Sequence, residues 1–171
     1  VHSSLREAIK TITKSLIRST VEVSYESLRE LFDIQDPKIY VSGLNPHAGE
    51  NGMLGKEEIN IIKPTIDKLV EKKGWSITGP LSADTMFYPQ MRSKYDLAVC
   101  MYHDQALIPI KTVFFNEAVN ITLGLPIIRT SPDHGTAHDI AGKNLANPTS
   151  LINAIRMAKK LTDNKALYEN R

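Results

Sequence analysis

The chain has one cysteine, Cys100, among 171 residues. An internal disulfide is therefore excluded, and a reducing, cytoplasmic setting is expected. No apolar stretch approaches the roughly 18 residues that a membrane span requires, so no membrane partner is expected. Lys and Arg never run longer than the pairs Lys72-Lys73 and Lys159-Lys160, and the formal net charge is only +2. That balance gives no case for nucleic acid, and the pairs read as solvated helix faces. The HExxH, CxxC and Walker A patterns are missing. No GxGxxG is present either, so a standard Rossmann pocket is not supported. The amino terminus has neither an apolar signal core nor an initiating Met, and reads as cut from something longer. Repeats and low-complexity segments are absent.

What is present is an ordinary globular composition, 42% hydrophobic and 23% charged, with enough apolar content to bury a core. Residues 5–32 show helical spacing (Leu5, Ile9, Ile12, Leu16, Val21, Leu28, Leu31), enough for one or two helices. Pro37 closes that region, and 38–44 (KIYVSGL) reads as a short buried strand. A polar, Gly-rich loop, 45–55, follows. Residues 57–73 form a second expected helix with Ile61, Ile62, Ile66, Leu69 and Val70 inward, Pro64 as a possible kink and Gly74 as its stop. Residues 75–81 are a candidate strand, and 83–93 a short helix interrupted at Pro89. The near-continuous apolar run 95–102 (YDLAVCMY) has the character of a strand inside a parallel sheet. Cys100 lies in it and reads as a small buried hydrophobe rather than a catalytic thiol. Two extended segments, 118–123 and 126–130, precede a last helix over 148–161. Alternating helices and strands make the fold α/β.

Polar residues gather just after the apolar strands: Asn45-Pro46-His47 after one, His103-Asp104-Gln105 after another. Ligands of α/β sheets bind beyond the carboxyl ends of strands, which marks both as site candidates. Of the five histidines, His47 and His103 are the two whose placement suits a metal, since neutral imidazole ligates divalent transition metals. Asp104 and Asp84 are candidate partners or bases. Lys111, Asn120 and Arg129 recur at nine-residue intervals along apolar segments. A cation there needs an anionic partner, either a substrate phosphate or carboxylate or a structural Asp or Glu. The stretch 133–148 (DHGTAHDIAGKNLANP) combines small and polar residues that let a backbone approach a flat ligand, and Asn147 or Thr149 is placed to cap the helix after it.

Four motifs, SGLNPHAGENG (42–52), GPLSADTMF (79–87), MYHDQALIPIK (101–111) and VNITLGLPIIRTSPDHGTAHDIAG (119–142), resemble the 4-hydroxythreonine-4-phosphate dehydrogenase family of vitamin B6 biosynthesis. They occur in the family's order. The resemblance covers nearly all of this chain but only about the carboxyl-terminal half of the family. It implies an isocitrate/isopropylmalate dehydrogenase-like fold, present here in part: a carboxyl-terminal half with a metal and dimerisation region over about 1–115 and a nucleotide-binding region over about 116–171. The family forms homodimers with the active site in the cleft between two domains.

The resemblance also implies an activity: NAD-dependent oxidation of 4-phosphooxy-L-threonine with decarboxylation to 3-amino-2-oxopropyl phosphate. It implies a divalent cation (Zn, Mg or Co) held by three histidines across the dimer contact. His47 and His103 match two of them. His2 occupies the place of the third, although the family's neighbouring Pro is missing here. Lys111, Asn120 and Arg129 match substrate contacts. Residues His134, Gly135, Thr136, Ala137 and Asp139, with Asn147, are assigned to NAD. Asp84 and Asp104 are expected to relay protons, and Lys111 counts with them as a catalytic candidate. Ala106 stands where the family usually has Gly. The family's amino-terminal half, including a His-Thr pair that contacts substrate phosphate, has no counterpart in these residues, so a separate amino-terminal half is a possible partner. Two alternatives stay open: a related dehydrogenase of another phosphorylated hydroxy acid, and a truncated, non-catalytic metal-binding dimerisation module.

Overall fold

The computed structural model describes residues 3–171. The first expected helical region divides in two, α1 (Leu5–Thr11) and α2 (Lys14–Phe32). The break falls at Thr13, whose hydroxyl accepts the Leu16 amide as an N-cap. Asp33, in the left-handed region at φ 59°, ends α2. One face of α2 buries Ile17, Val21, Tyr25 and Leu28, the i, i+4 spacing of an amphipathic helix.

Three parallel strands follow, β1 (Lys38–Ser42), β2 (Ser76–Leu81) and β3 (Leu97–Val99), in the spatial order β2-β1-β3. Helix α3 (Lys63–Lys73) connects the first two, and the short α4 (Ala83–Met86) and α5 (Pro89–Arg92) lie between the second and third. The core joins α2, α3 and the sheet through Val21, Ile39, Val41, Ile62, Ile66, Leu69, Ile77 and Val99. Each side chain fully buried here contributes about 1.5–3 kcal/mol. Tyr25 stacks on Trp75, with ring centroids 3.9 Å apart.

Pro64 does not kink the middle of a helix. It sits in the first turn of α3, preceded by a π-helical turn over Glu58–Ile62. Proline has no N–H to give the carbonyl four residues back, and the wider π turn re-registers the ladder just before it. The strand expected over 95–102 shrinks to Leu97–Val99, because the Met101 amide turns aside to bond Gln105 Oε1 at 2.7 Å.

Residues 103–114, to which the sequence pattern assigned no element, form helix α6 (His103–Phe114). Pro109 lies inside it and leaves the Gln105 carbonyl without its usual i+4 donor. The Cys100 thiol takes up that carbonyl, with Sγ 3.8 Å from the oxygen. Burial pushes the thiol up to about 11, so it stays protonated and donates.

The last extended segments pair antiparallel as β4 (Val119–Thr122) and β5 (Arg129–Pro132). Helix α7 (Thr149–Glu169) packs on this hairpin and on α2, and outruns its expected end at 161. Its extra turns are anchored: Asn164 Nδ2 donates to the Leu31 carbonyl at 2.8 Å, and Lys165 pairs with Glu30 at 3.3 Å. No described helix is long and apolar enough to cross a membrane.

Candidate functional site

Three adjacent parallel strands each deliver one candidate residue at the same edge of the sheet. His47 lies in the turn after β1, Asp84 in the helix after β2, and His103 opens α6 after β3. Carboxyl-terminal strand ends are where α/β sheets place ligands. His103 Nδ1 lies 2.8 Å from Asp104 Oδ1. The Asp84 carboxyl is held below the usual range, chiefly by the Ser82 hydroxyl, which donates to it at 2.5 Å. The positive charge of a protonated His47 adds to that effect, and α4 lies against the turn that carries His47. The His47 ring makes no hydrogen bond among the described residues.

Two buried polar groups, neither assigned a role from the sequence, build this edge. Gln105, 9% exposed, ties α6 to β1. Its Oε1 accepts the Ser42 hydroxyl at 2.6 Å and the Met101 amide at 2.7 Å, and its Nε2 donates to the Gly43 carbonyl at 2.8 Å. Glu58, 2% exposed, lies under the loop after β1. Its Oε1 accepts the Leu44 and Asn45 amides at 2.8 and 2.7 Å, and its Oε2 accepts Asn45 Nδ2 at 2.9 Å. Asn45 Nδ2 also donates to Glu57 Oε2 at 2.8 Å. That bond is the main cause of the lowered Glu57 pKa. The available sequence signal was weak: a carboxylate on the apolar side of an expected helix, and a glutamine just after an apolar strand.

The candidate anion contacts fall on two linked elements. Lys111 sits two turns into α6, and its Nζ lies 3.2 Å from the Asp133 carbonyl and 3.5 Å from its carboxylate. The structural ion pair left open by the sequence is therefore present. On the hairpin, Asn120 pairs with Ser131 and Thr122 with Arg129. Cross-strand partners and i, i+2 neighbours share a face, so Asn120 and Arg129 point to the same side. Arg129 Nη1 donates to Thr122 Oγ1 at 2.8 Å. The opposite face meets α7, where Thr130 donates to the Ala154 carbonyl at 2.8 Å.

The candidate nucleotide segment, 134–147, is almost wholly exposed around a 3-10 turn at His138–Ile140. Gly135 has open space where a Cβ would stand. His134 Nδ1 lies 2.9 Å from the Gly135 carbonyl. Asn147 Oδ1 accepts the Thr149 amide at 3.0 Å, but the N-cap of α7 is Pro148, and no side chain caps the helix as the sequence led us to expect of Asn147 or Thr149. Gly135, Thr136, Ala137 and Asp139 thus lie on one open strip rather than in a closed pocket.

Among the described residues, no group of three or more His, Cys, Asp or Glu gathers closely enough to hold a metal. A cation on His47 and His103 needs a donor from outside that set. His2 lies outside the described residues.

The family model "Pyridoxal phosphate biosynthetic protein PdxA" matches residues 1–158. A 4-hydroxythreonine-4-phosphate dehydrogenase of Bradyrhizobium diazoefficiens is 59% identical over 161 residues, covering 94% of this chain and 46% of that protein. The crystal structure of the Klebsiella pneumoniae 4-hydroxythreonine-4-phosphate dehydrogenase superposes with a TM-score of 0.83 at 43% identity, over 94% of this chain and 48% of that one. A terephthalate 1,2-cis-dihydrodiol dehydrogenase from Burkholderia xenovorans gives 0.72 at 31% identity, over 93% and 50%. The chain spans about half the length of the curated relatives it matches, and its fold is part of a dehydrogenase fold.

Proposed function

The chain belongs to the PdxA family of pyridoxal phosphate biosynthetic proteins, and on that premise we propose that it supplies the metal- and substrate-binding half of an NAD-dependent 4-hydroxythreonine-4-phosphate dehydrogenase. C3 of 4-phosphooxy-L-threonine gives its hydrogen to NAD as a hydride, and the hydroxyl on that carbon gives its proton to the protein. The resulting β-keto acid loses CO2 to give 3-amino-2-oxopropyl phosphate. The observation that carries the reading is the delivery of His47, Asp84 and His103 to one sheet edge by adjacent parallel strands.

His47, His103 and His2 would hold a divalent cation (Zn, Mg or Co), one of the three coming from a second copy. When bound, the cation acts as a Lewis acid toward the substrate oxygen. Asp104, against His103, and Asp84, near His47, carry the proton away from the site. Lys111, Asn120 and Arg129 orient the phosphate and carboxylate. Lys111 exchanges Asp133 for the substrate anion, or shares itself between them. Residues His134, Gly135, Thr136, Ala137 and Asp139, with Asn147, lie against NAD. We assign about 1–115 to the metal and dimerisation region and about 116–171 to the nucleotide.

Surface area supports a half that works in an assembly. The chain exposes 11003 Å², against roughly 8,400 Å² for a folded monomer of its mass. The excess, roughly 2,600 Å², is what a large, permanent interface removes from solvent. Exposed Ile108, Val113 and Phe115 on and after α6 form part of it.

A second reading, a related dehydrogenase of another phosphorylated hydroxy acid, is favoured by the dihydrodiol dehydrogenase relative, in which the same half-fold belongs to an enzyme of another substrate. The test is NADH formation by this chain, alone and mixed with the half of a relative that it does not match. Turnover of 4-phosphooxy-L-threonine by the mixture supports the proposal. Turnover only of sugar-acid phosphates selects the second reading. Cation binding without turnover in any mixture leaves a non-catalytic dimerisation module.

A further inference from the structure

The turn carrying His47 is built in a conformation that L-residues avoid. His47, Ala48, Gly49, Glu50 and Asn51 have φ values of 52°, 51°, 78°, 43° and 53°, so the segment makes one left-handed helical turn. Four of these five residues are not glycine, and each costs about 1–2 kcal/mol in this region. Such strain persists only where the surroundings over-determine it.

Glu58 is the group that does so. Its buried carboxylate receives the Leu44 and Asn45 amides at the start of the turn and the Asn45 side-chain amide across it. The same carboxylate presses against the middle of the turn. A Cβ on Gly49 would stand 2.6 Å from Oε2, and one on Gly43 3.1 Å from Oε1. No cationic side chain among the described residues pairs with it, so N–H dipoles alone offset its burial. The π turn that begins at Glu58 is the local irregularity that aims the side chain under the loop. The two N–H bonds of the Asn45 amide are divided between Glu57 and Glu58, so the orientation of that amide depends on both acids.

We infer that Glu58 is the positioning residue for His47: its carboxylate locks the left-handed turn and thereby sets where that imidazole stands. The inference rests on the proposed ligand role of His47 for its functional meaning, but its conformational part holds without any metal.

Glu58→Gln offers one oxygen and one amide. With the oxygen kept on the Leu44 and Asn45 amides, its NH2 faces Asn45 Nδ2, and the Asn45 amide must flip and point its oxygen at Glu57. Adding Glu57→Gln removes that clash, because the new side-chain amide at position 57 then donates to the flipped oxygen. In the apo chain, carbon chemical shifts of residues 47–51 and hydrogen exchange at the Leu44 and Asn45 amides report the turn. Calorimetric titration with Zn2+ or Co2+ alone reports the ligand. Glu58→Gln is expected to move the shifts off left-handed values, speed exchange at least tenfold and weaken cation binding about 10–100-fold, the usual effect of losing a ligand's support. Glu57→Gln alone changes little, and the double variant recovers most of the loss.

Unchanged shifts and exchange in Glu58→Gln, or a double variant no better than the single, overturn the inference. If Glu58→Gln does not fold, Glu58→Asp replaces it: one methylene shorter, it cannot reach both sets of donors and must show the same loosening, or the inference fails. A wild-type chain that binds no cation overturns the metal reading, while the shifts and exchange still decide the role of Glu58.

Discussion

Gln105→Met tests whether the site edge is held by one buried amide. The substitution keeps the side chain's length and removes its three bonds to Ser42, Met101 and Gly43. The Met101 N–H, the Gly43 carbonyl and the Ser42 hydroxyl then lose their partner in the interior. At about 1–3 kcal/mol for each unsatisfied group, and with the hydroxyl free to rotate, the cost is about 4 kcal/mol. That is a large share of the 5–15 kcal/mol that usually separates native from unfolded chains. With an unfolding entropy of about 2.1 cal/mol/K per residue, the melting temperature drops by about 11 °C. Ser42→Ala removes one donor and leaves Gln105 Oε1 on the Met101 amide, at about 1 kcal/mol. In the double variant the serine hydroxyl is no longer stranded, so the combined loss falls short of the sum by about 1 kcal/mol. Urea denaturation of the four proteins measures this directly. Losses that add to within a few tenths of a kcal/mol, or a Gln105→Met variant as stable as the wild type, would refute the network.

Gly49→Ala should destabilise the loop after β1, since its Cβ falls 2.6 Å from Glu58 Oε2 at a φ of +78°; an unchanged melting curve and unchanged cation affinity would speak against that contact. Cys100, raised from 9.0 to about 11 by burial, carries about a hundredfold less thiolate near neutrality than a thiol at the ordinary value. Iodoacetamide should label it slowly in the folded chain and rapidly in urea. Because its folded pKa lies above the unfolded one, the folded state keeps its proton longer. This contribution to stability is complete below pH 9 and is lost, by up to about 2.7 kcal/mol, as pH climbs toward 11. Ile39→Ala, in the middle of β1 and fully buried, should cost about 2–5 kcal/mol, read as a lower urea midpoint. Arg129→Ala should raise the KM for a phosphorylated substrate in the assembled enzyme with little change in stability, since its bond to Thr122 lies at the surface; an unchanged KM would remove Arg129 from the substrate contacts.

Much of the scaffold was legible because burial imposes period. The repeat from Ile17 to Leu28 marks α2, and the apolar runs around Ile39 and Val99 mark β1 and β3. Those runs also pointed to His47 and His103, since a polar residue just past a buried parallel strand falls at the ligand edge. Helix α6 was not legible, because Pro109 argues locally against a helix and only the Gln105 and Cys100 contacts offset the missing bond. The left-handed turn was hidden for a related reason. Nothing in Pro46–Gly52 demands positive φ at His47 or Ala48; the demand comes from Glu58, beyond the loop. Lys111, read from the sequence only as lying along an apolar segment, sits on a helix, with Asp133 as a partner distant in sequence that only the fold supplies.

If one sheet edge presents His47 and His103 to a shared divalent cation, titrating Co2+ into the chain and into its His47→Ala and His103→Ala variants tests it most directly. The wild type should bind one cation per chain, with the visible absorption of a nitrogen-ligated Co2+ site, and each variant should lose it. Full stoichiometry and an unchanged spectrum in either variant would contradict that shared site.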